Sequence, residues 1–278
     1  MSGAASWTEL ERQARGAAAP YRLVLPSGPV GGGAGEFAGL GAGASLELLE
    51  LRDYVPGDDL RHLDWRAYAR SDRLQTRLYR AEVAPWVELI CDCSASMAVS
   101  ARKERAARAL LAALLWCSRA AGGRPRLLAC GKGPLAATSP PAFGGPDPLE
   151  LVPAVPLRPR GVRVLLSDLL HRADPAPRLA RLAAGAAQLV VIQLLDPWEL
   201  APEATGPLEL VDCESGERLE LELVPETVAD YQRRLQRLRA EAERAVRAVG
   251  GRYACVSAAE PAAMLATLMR AGILEPLP

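Results

Sequence analysis

The chain has 278 residues, with Lys plus Arg and Asp plus Glu both at 33, so its formal net charge is zero. Half of the residues are apolar and 24% are charged, the balance of a folded chain rather than a disordered one. Without a basic excess, the composition argues against a nucleic-acid-coating protein.

Membrane and metal-finger readings fare no better. The longest apolar run, 182–195, is 14 residues long and contains Gln188 and Gln193. A spanning helix needs about 20 apolar residues. Glu9 and Glu11 stand where a signal peptide carries its apolar run, so the expectation is a cytoplasmic chain with reduced thiols. None of the six cysteines belongs to a Cys-x-x-Cys pair, and Cys91-x-Cys93 has no histidine neighbour, which speaks against zinc.

In chain order, 6–15 predicts a short helix with Trp7 and Leu10 on one side. The glycine-rich stretch 28–43 lacks a Gly-Lys-Ser/Thr ending and reads as an irregular connector, so residues 1–44 are expected to be flexible. Residues 45–85 read as a β-rich unit. Strands are expected near 45–54 and 74–79, with a turn at Pro56-Gly57-Asp58-Asp59 and a short helix through Asp64-Trp65-Arg66 capped by Asp58 or Asp59. Arg52 and Arg61 are expected to pair with Asp58, Asp59 or Asp64, and Trp65 to pack on the sheet.

From residue 86 strands and helices alternate. Strands are predicted at 86–91, 126–130, 162–167 and 189–195, with helices at 101–121 and 175–187 and a short helix near 148–152. Continuous apolar strands separated by helices predict a parallel sheet covered on both faces. A hairpin insertion follows at about 205–224, then a charged helix over 225–249, a strand over 253–257 and a helix over 261–271. On the charged helix, Glu241, Glu243, Arg244 and Arg247 suit intrahelical pairing.

The chemistry concentrates where strand 86–91 ends, at Asp92-Cys93-Ser94-Ala95-Ser96-Met97. One carboxylate and two hydroxyls at the carboxyl end of a strand occupy the edge where open α/β sheets bind ligands. Oxygen donors of this kind suit Mg²⁺. Asp168 ends strand 162–167 in the same way, and if the two strands are neighbours both carboxylates face one cation. The alternative is that Ser94 and Ser96 merely cap the following helix. Asp196 and Glu199 follow another strand and either rim the same site or begin a turn. His171 near Asp168 does not make a hydrolase triad, because the Gly-x-Ser-x-Gly elbow is absent.

The Asp92/Ser94/Ser96 loop resembles the metal-ion-dependent adhesion site of von Willebrand factor A-like domains. Arg52-Asp53-Tyr54-Val55-Pro56-Gly57-Asp58-Asp59-Leu60-Arg61-His62-Leu63-Asp64-Trp65, followed by Asp-x-Ser-x-Ser-Met and by Ser167-Asp168-Leu169, resembles the signature of the bacterial domain-of-unknown-function family number 58. That resemblance implies an α/β fold of the von Willebrand A type over 86–278, with a family-specific extension at 45–85. It implies metal ligands at Asp92, Ser94, Ser96 and Asp168, with Mg²⁺ as the ion and Mn²⁺ as a substitute. Arg52, Tyr54, Pro56, Gly57, Asp58, Asp59, Arg61, Asp64 and Trp65 become either a structural signature or a partner contact. The adhesion site's middle threonine ligand has no clear counterpart among Thr138, Ser139 and Gly144-Gly145-Pro146-Asp147.

The implied function is a non-enzymatic adaptor or co-chaperone for a MoxR-type AAA+ ATPase, with no nucleic acid and no membrane span. The alternatives are a metal-dependent phosphohydrolase and a metal-free scaffold. The phosphohydrolase reading lacks its second aspartate, where Ser94 stands, and a suitable lysine, since Lys103 and Lys132 are the only two.

Overall fold

A computed structural model describes residues 7–26, 46–81, 84–129, 133–135, 142–144, 157–170, 174–203, 206–213 and 215–277. It divides into two units, one of 1–26 with 85–278 and one of 27–84.

The larger unit is built on a six-stranded sheet. Its strands are β4 (Trp86–Cys91), β5 (Arg124–Ala129), β6 (Gly133–Leu135), β7 (Val162–Ser167), β8 (Gln188–Leu195) and β11 (Arg252–Ser257), numbered so that β1 to β3 precede them. The order across the sheet is β11-β8-β7-β4-β5-β6, parallel throughout except for the antiparallel edge strand β6. The chain therefore begins in the middle, builds outward through β5 and β6, and returns to the other side of β4 to lay down β7. The reversal leaves a crevice at the carboxyl ends of β4 and β7, the switch point where doubly wound sheets bind ligands.

Helices cover both faces, as continuous apolar strands require. On one face α3 (Ala101–Ala120) and α7 (Pro261–Arg270) bury Leu110, Leu114, Leu265 and Leu268 against Leu89, Val164 and Ile192. On the other, α4 (Ala176–Ala183) and α6 (Pro225–Ala248) bury Leu179, Leu182, Ala242 and Val246 against Ile90, Leu165 and Val191. Two helix-to-strand connections use the same glycine pair. Gly122 and Gly250 take φ of 76° and 70°, and the glycine after each lies against the sheet. A Cβ there would come within 2.8 Å of Val87 at Gly123 and within 2.9 Å of the Leu189 carbonyl at Gly251.

The expected flexibility of residues 1–44 is corrected for 7–26. Helix α1 (Trp7–Ala18) ends three residues later than predicted and buries Leu10, Ala14 and Ala18. The Arg15 guanidinium stacks 4.3 Å from the Trp116 ring of α3. Strand β1 (Tyr21–Leu23) then pairs antiparallel with β12 (Leu274–Pro276). Both strands have three residues, too few for an alternation pattern to register. The glycine-rich stretch 28–43 and the predicted helix near 148–152 lie outside the described residues, as do His171, Thr138, Ser139 and 145–147.

A charged network crosses the sheet below the crevice. Glu88 on β4 is fully buried, and its neighbours in register are Arg126 on β5 and Arg163 on β7. Arg126 donates to one Glu88 oxygen, and the Arg158 amide donates to the same oxygen at 2.9 Å. Arg163 lies 3.6 Å from the other and also caps the Leu182 and Ala184 carbonyls at 2.6 and 2.7 Å.

The smaller unit pairs β2 (Leu46–Asp53) with β3 (Gln75–Ala81), antiparallel, with a bulge at Leu48/Glu50. Between them the signature forms a compact loop. Pro56 and Gly57 (φ 109°) are the central residues of a turn closed by the Asp58 amide on the Val55 carbonyl at 3.0 Å. Asp58 accepts from Arg52 at 2.6 Å and from the Val55 amide at 3.0 Å. Asp59 pairs with Arg61 at 2.6 Å and caps a 3₁₀ turn, Leu60–His62. Helix α2 (Trp65–Ser71) is capped by Asp64, which accepts from the Arg66 and Ala67 amides, and not by Asp58 or Asp59. The half-buried Tyr54 donates its amide to the Leu74 carbonyl at 2.9 Å. Trp65 is not buried against a sheet as expected: it is 61% exposed, with the Tyr68 ring edge-on beside it.

Candidate functional site

The crevice residues come from four elements of the larger unit. Asp92 follows β4 directly, and its amide extends the ladder by donating to the Leu166 carbonyl at 2.8 Å. Its carboxylate is fully buried. One oxygen accepts from the Ser94 amide at 2.9 Å and the Ser94 hydroxyl at 2.6 Å, and the other accepts from the Ser167 hydroxyl at 2.6 Å. Ser94 Oγ lies 2.9 Å from Ser96 Oγ, and Ser96 is half-buried. Burial, and then the negative charge of Asp168, push the Asp92 carboxyl above its ordinary range against these hydrogen bonds.

Neither Ser94 nor Ser96 caps the long helix. Ser100 does, accepting from the Lys103 amide at 3.0 Å while donating its own hydroxyl to Asp196 at 2.6 Å. The two signature serines are thereby left with their hydroxyls on Asp92 and on each other.

Asp168 sits one residue beyond β7, at the crevice as expected, and it is also fully buried. Its partner is one that sequence reasoning set aside. Lys103, in the first turn of α3, has no exposed side-chain surface and puts its ammonium 2.9 Å from Asp168 Oδ2 and 2.8 Å from Glu199 Oε1. The other Asp168 oxygen accepts from the Leu170 amide at 3.2 Å. Burial alone would lower the lysine, but Asp168 and Glu199 outweigh it and hold the ammonium above its ordinary value. The intervening Leu169 is buried at φ 52°, a left-handed conformation that costs a leucine roughly 1–2 kcal/mol.

Asp196 and Glu199 do both things expected of them. They form a reciprocal cap of the short helix α5 (Pro197–Leu200), with the Trp198 amide on Asp196 at 2.9 Å and the Asp196 amide on Glu199 at 2.6 Å. They also rim the crevice. Gln193, inside β8, donates to the Asp168 carbonyl at 2.6 Å and accepts from the Tyr253 hydroxyl. Tyr231 of α6 donates to the Glu199 carbonyl at 2.6 Å. In the sequence, Gln193 stood out only as a polar break in an apolar strand.

The donor set fits a divalent ion in one half of the crevice. Neighbouring oxygens on octahedral Mg²⁺, bound at about 2.0–2.1 Å, lie about 2.9 Å apart. The Ser94 and Ser96 hydroxyls have that spacing, and Asp92 adjoins them. Asp168 lies in the other half, where its two oxygens accept from the Lys103 ammonium and the Leu170 amide.

Beside the crevice runs a groove of about 820 Å³ lined by Val99, Ser100, Trp198, Glu199, Val211 and Leu219, among others. The strands β9 (Gly206–Val211) and β10 (Arg218–Leu223) of the predicted hairpin form one wall. Val99, Trp198, Val211 and Leu219 are each 44–60% exposed, an apolar surface flanking the buried charges.

Comparison with known proteins gives this arrangement a family. The family described as "Protein of unknown function DUF58" matches residues 50–154 and 147–241. The chain belongs to the DUF58 family. Uncharacterized proteins of Mycobacterium bovis and Mycobacterium tuberculosis are each 30% identical over 245 residues, covering 78% of this chain and 76% of theirs. The two family matches together span both the 52–65 loop and the crevice residues from Asp92 to Glu199, and so reach into both units. A crystal structure of the conserved hypothetical protein BatB from Bacteroides thetaiotaomicron is 11% identical, covering 68% of this chain and 98% of that one at a TM-score of 0.32. A likeness that weak carries no argument about this DUF58 chain.

Proposed function

We propose that this chain is a non-enzymatic protein-interaction adaptor of the von Willebrand A type that engages a MoxR-type AAA+ ATPase in the cytoplasm. Among the described residues no helix is long and apolar enough to cross a membrane, which agrees with a partner met away from the bilayer core. One observation carries the reading. A hydroxyl–carboxylate crevice at the sheet's switch point lies directly beside a groove walled by exposed Val99, Trp198, Val211 and Leu219. Exposed apolar surface rimmed by polar residues is the mark of a docking site. Mg²⁺, with Mn²⁺ as its substitute, is held by Asp92, Ser94 and Ser96, and a partner carboxylate completes its shell. The von Willebrand A assignment is supported by the doubly wound strand order with its antiparallel edge and by the Asp-x-Ser-x-Ser loop at the first central strand.

On the smaller unit, Val55, Leu60, Trp65 and Tyr68 are exposed around the salt-bridged 52–65 loop and supply a second contact. The phosphohydrolase reading is disfavoured by the residue at position 94. An aspartyl phosphatase needs a second aspartate two residues on as its acid/base, and Ser94, with its hydroxyl on Asp92, stands there instead.

The test is binding of the full chain to a purified MoxR-type ATPase with and without Mg²⁺. Asp92→Ala/Ser94→Ala and Trp198→Ala are each expected to weaken the complex at least tenfold. Wild-type affinity in both variants would sink the adaptor reading. Mg²⁺-dependent turnover of aryl phosphates, lost in Asp92→Asn, would replace it with the hydrolase.

A further inference from the structure

We propose that Lys103 is the resident cation of this crevice. Its ammonium lies 2.9 Å from Asp168 Oδ2, and a divalent ion drawn to that carboxylate would meet its positive charge, so Asp168 is a lysine partner in this chain and not a metal ligand. The inference deepens the adaptor reading, since it concerns the same site, and it narrows the metal's protein ligands to Asp92, Ser94 and Ser96.

Three physical facts converge on Lys103. First, its position is a poor one for a cation. It lies in the first turn of α3, where the helix dipole presents partial positive charge. It is also fully buried, which disfavours the charged form of any lysine. Only the two carboxylates 2.8 and 2.9 Å away offset both costs. Second, the side chain is held from several directions. Its amide is fixed by Ser100, Ser100 by Asp196, Asp196 by Glu199, and Glu199 by Lys103 again, a closed ring that ties α3 to the end of β8. Asp168 brings in the end of β7, and Gln193 holds the Asp168 carbonyl. Third, the residue type is unusual for this chain. Of 33 basic residues only two are lysines. A compact ammonium suits a closed pocket between two carboxylates, where the planar fork of arginine needs more room.

The two halves of the crevice are thus charged differently. Lys103 neutralises the Asp168–Glu199 half. The Asp92 half has hydroxyl and amide donors but no cation of its own among the described residues, and that is the half with ligand spacing. A divalent ion entering the Asp168 half must first expel a buried ammonium.

The deciding experiment is Mn²⁺ titration of the purified full chain, followed by the electron paramagnetic resonance of free Mn²⁺. Wild type, Asp92→Ala, Asp168→Asn, Lys103→Met and Lys103→Met/Asp168→Asn are compared. Asp168→Asn is expected to change Mn²⁺ affinity less than threefold. Lys103→Met, which leaves two carboxylates without their cation, is expected to bind Mn²⁺ at least tenfold more tightly, and the double variant is expected to lose that gain. A tenfold loss in Asp168→Asn, or wild-type affinity in Lys103→Met, overturns the proposal. If Lys103→Met does not fold, the Asp168→Asn arm decides alone. The adhesion-type reading fails separately, if wild type and Asp92→Ala bind Mn²⁺ equally; Lys103 is then still judged by the gain in Lys103→Met.

Discussion

Ser167 donates its hydroxyl to Asp92 at 2.6 Å across the boundary between two neighbouring parallel strands, while the next residue, Asp168, faces Lys103. Consecutive residues at one strand end therefore serve opposite halves of the crevice. Ser167 also accepts from the Leu169 amide at 3.1 Å, which holds the left-handed turn that follows. Ser167→Ala leaves a buried carboxylate oxygen one donor short, a cost of about 1–3 kcal/mol. Urea unfolding measures it. The exposed Ser215→Ala, as control, is expected to stay within about 0.5 kcal/mol. A Ser167→Ala cost no larger than the control's would mean that Asp92 does not depend on this bond.

Asp92 and Asp168 were legible because polarity changes abruptly where an apolar strand ends, and the α/β alternation says which end faces the ligand edge. Lys103 was not. A charged residue in the first turn of a predicted helix reads as solvated, and nothing local in the sequence reveals that two carboxylates from 65 and 96 residues away converge on it. Glu88 was hidden for the opposite reason, since its apolar flanks made the strand look uniformly hydrophobic while its partners lie on other strands. The three-residue strands β1, β6 and β12 are shorter than any periodic signal, so the β1–β12 pairing that ties 21–23 to the chain's end had no local cue. The arginine–aspartate pairs of 52–65 were readable because their partners are at most six residues apart.

Glu88 sets a second stability prediction. It is a fully buried carboxylate between Arg126 and Arg163, and removing it leaves two guanidinium groups without their shared counter-charge. Glu88→Ala is expected to cost about 3–5 kcal/mol, whereas replacing all three residues by methionine is expected to restore most of the loss. Paired urea melts of the two variants decide between a charge-balance role and simple packing. Equal losses in both would favour packing.

The described cysteines predict an order of thiol reactivity. Burial pushes the Cys117 thiol up to about 12, so at pH 8 only about one molecule in ten thousand carries the thiolate that reacts. Cys91 and Cys93 are buried beside Asp92, while Cys213 lies exposed in the hairpin turn. Iodoacetamide at pH 8, followed by peptide mass spectrometry, is expected to label Cys213 first and Cys117 only after unfolding. Early labelling of Cys117 would indicate that α3 opens readily.

The 52–65 loop predicts a response to acid. The Val55 amide, with help from Arg52 and Thr76, holds the Asp58 carboxyl below its ordinary value of 3.8. The folded loop therefore binds its proton less readily than the unfolded chain does. The stabilisation from Asp58 is complete above the ordinary carboxylate range and is lost as pH falls through the lowered value. Nuclear magnetic resonance of the Val55 amide follows this directly, because that N–H donates to Asp58 at 3.0 Å. Its pH midpoint is expected below 3.8, and Asp58→Asn is expected to abolish the transition. Since the pair is only partly buried, added salt is expected to raise the midpoint by screening Arg52 but to leave the Val55 contribution in place. A midpoint at or above 3.8 would mean that the loop is not held by Asp58 in solution.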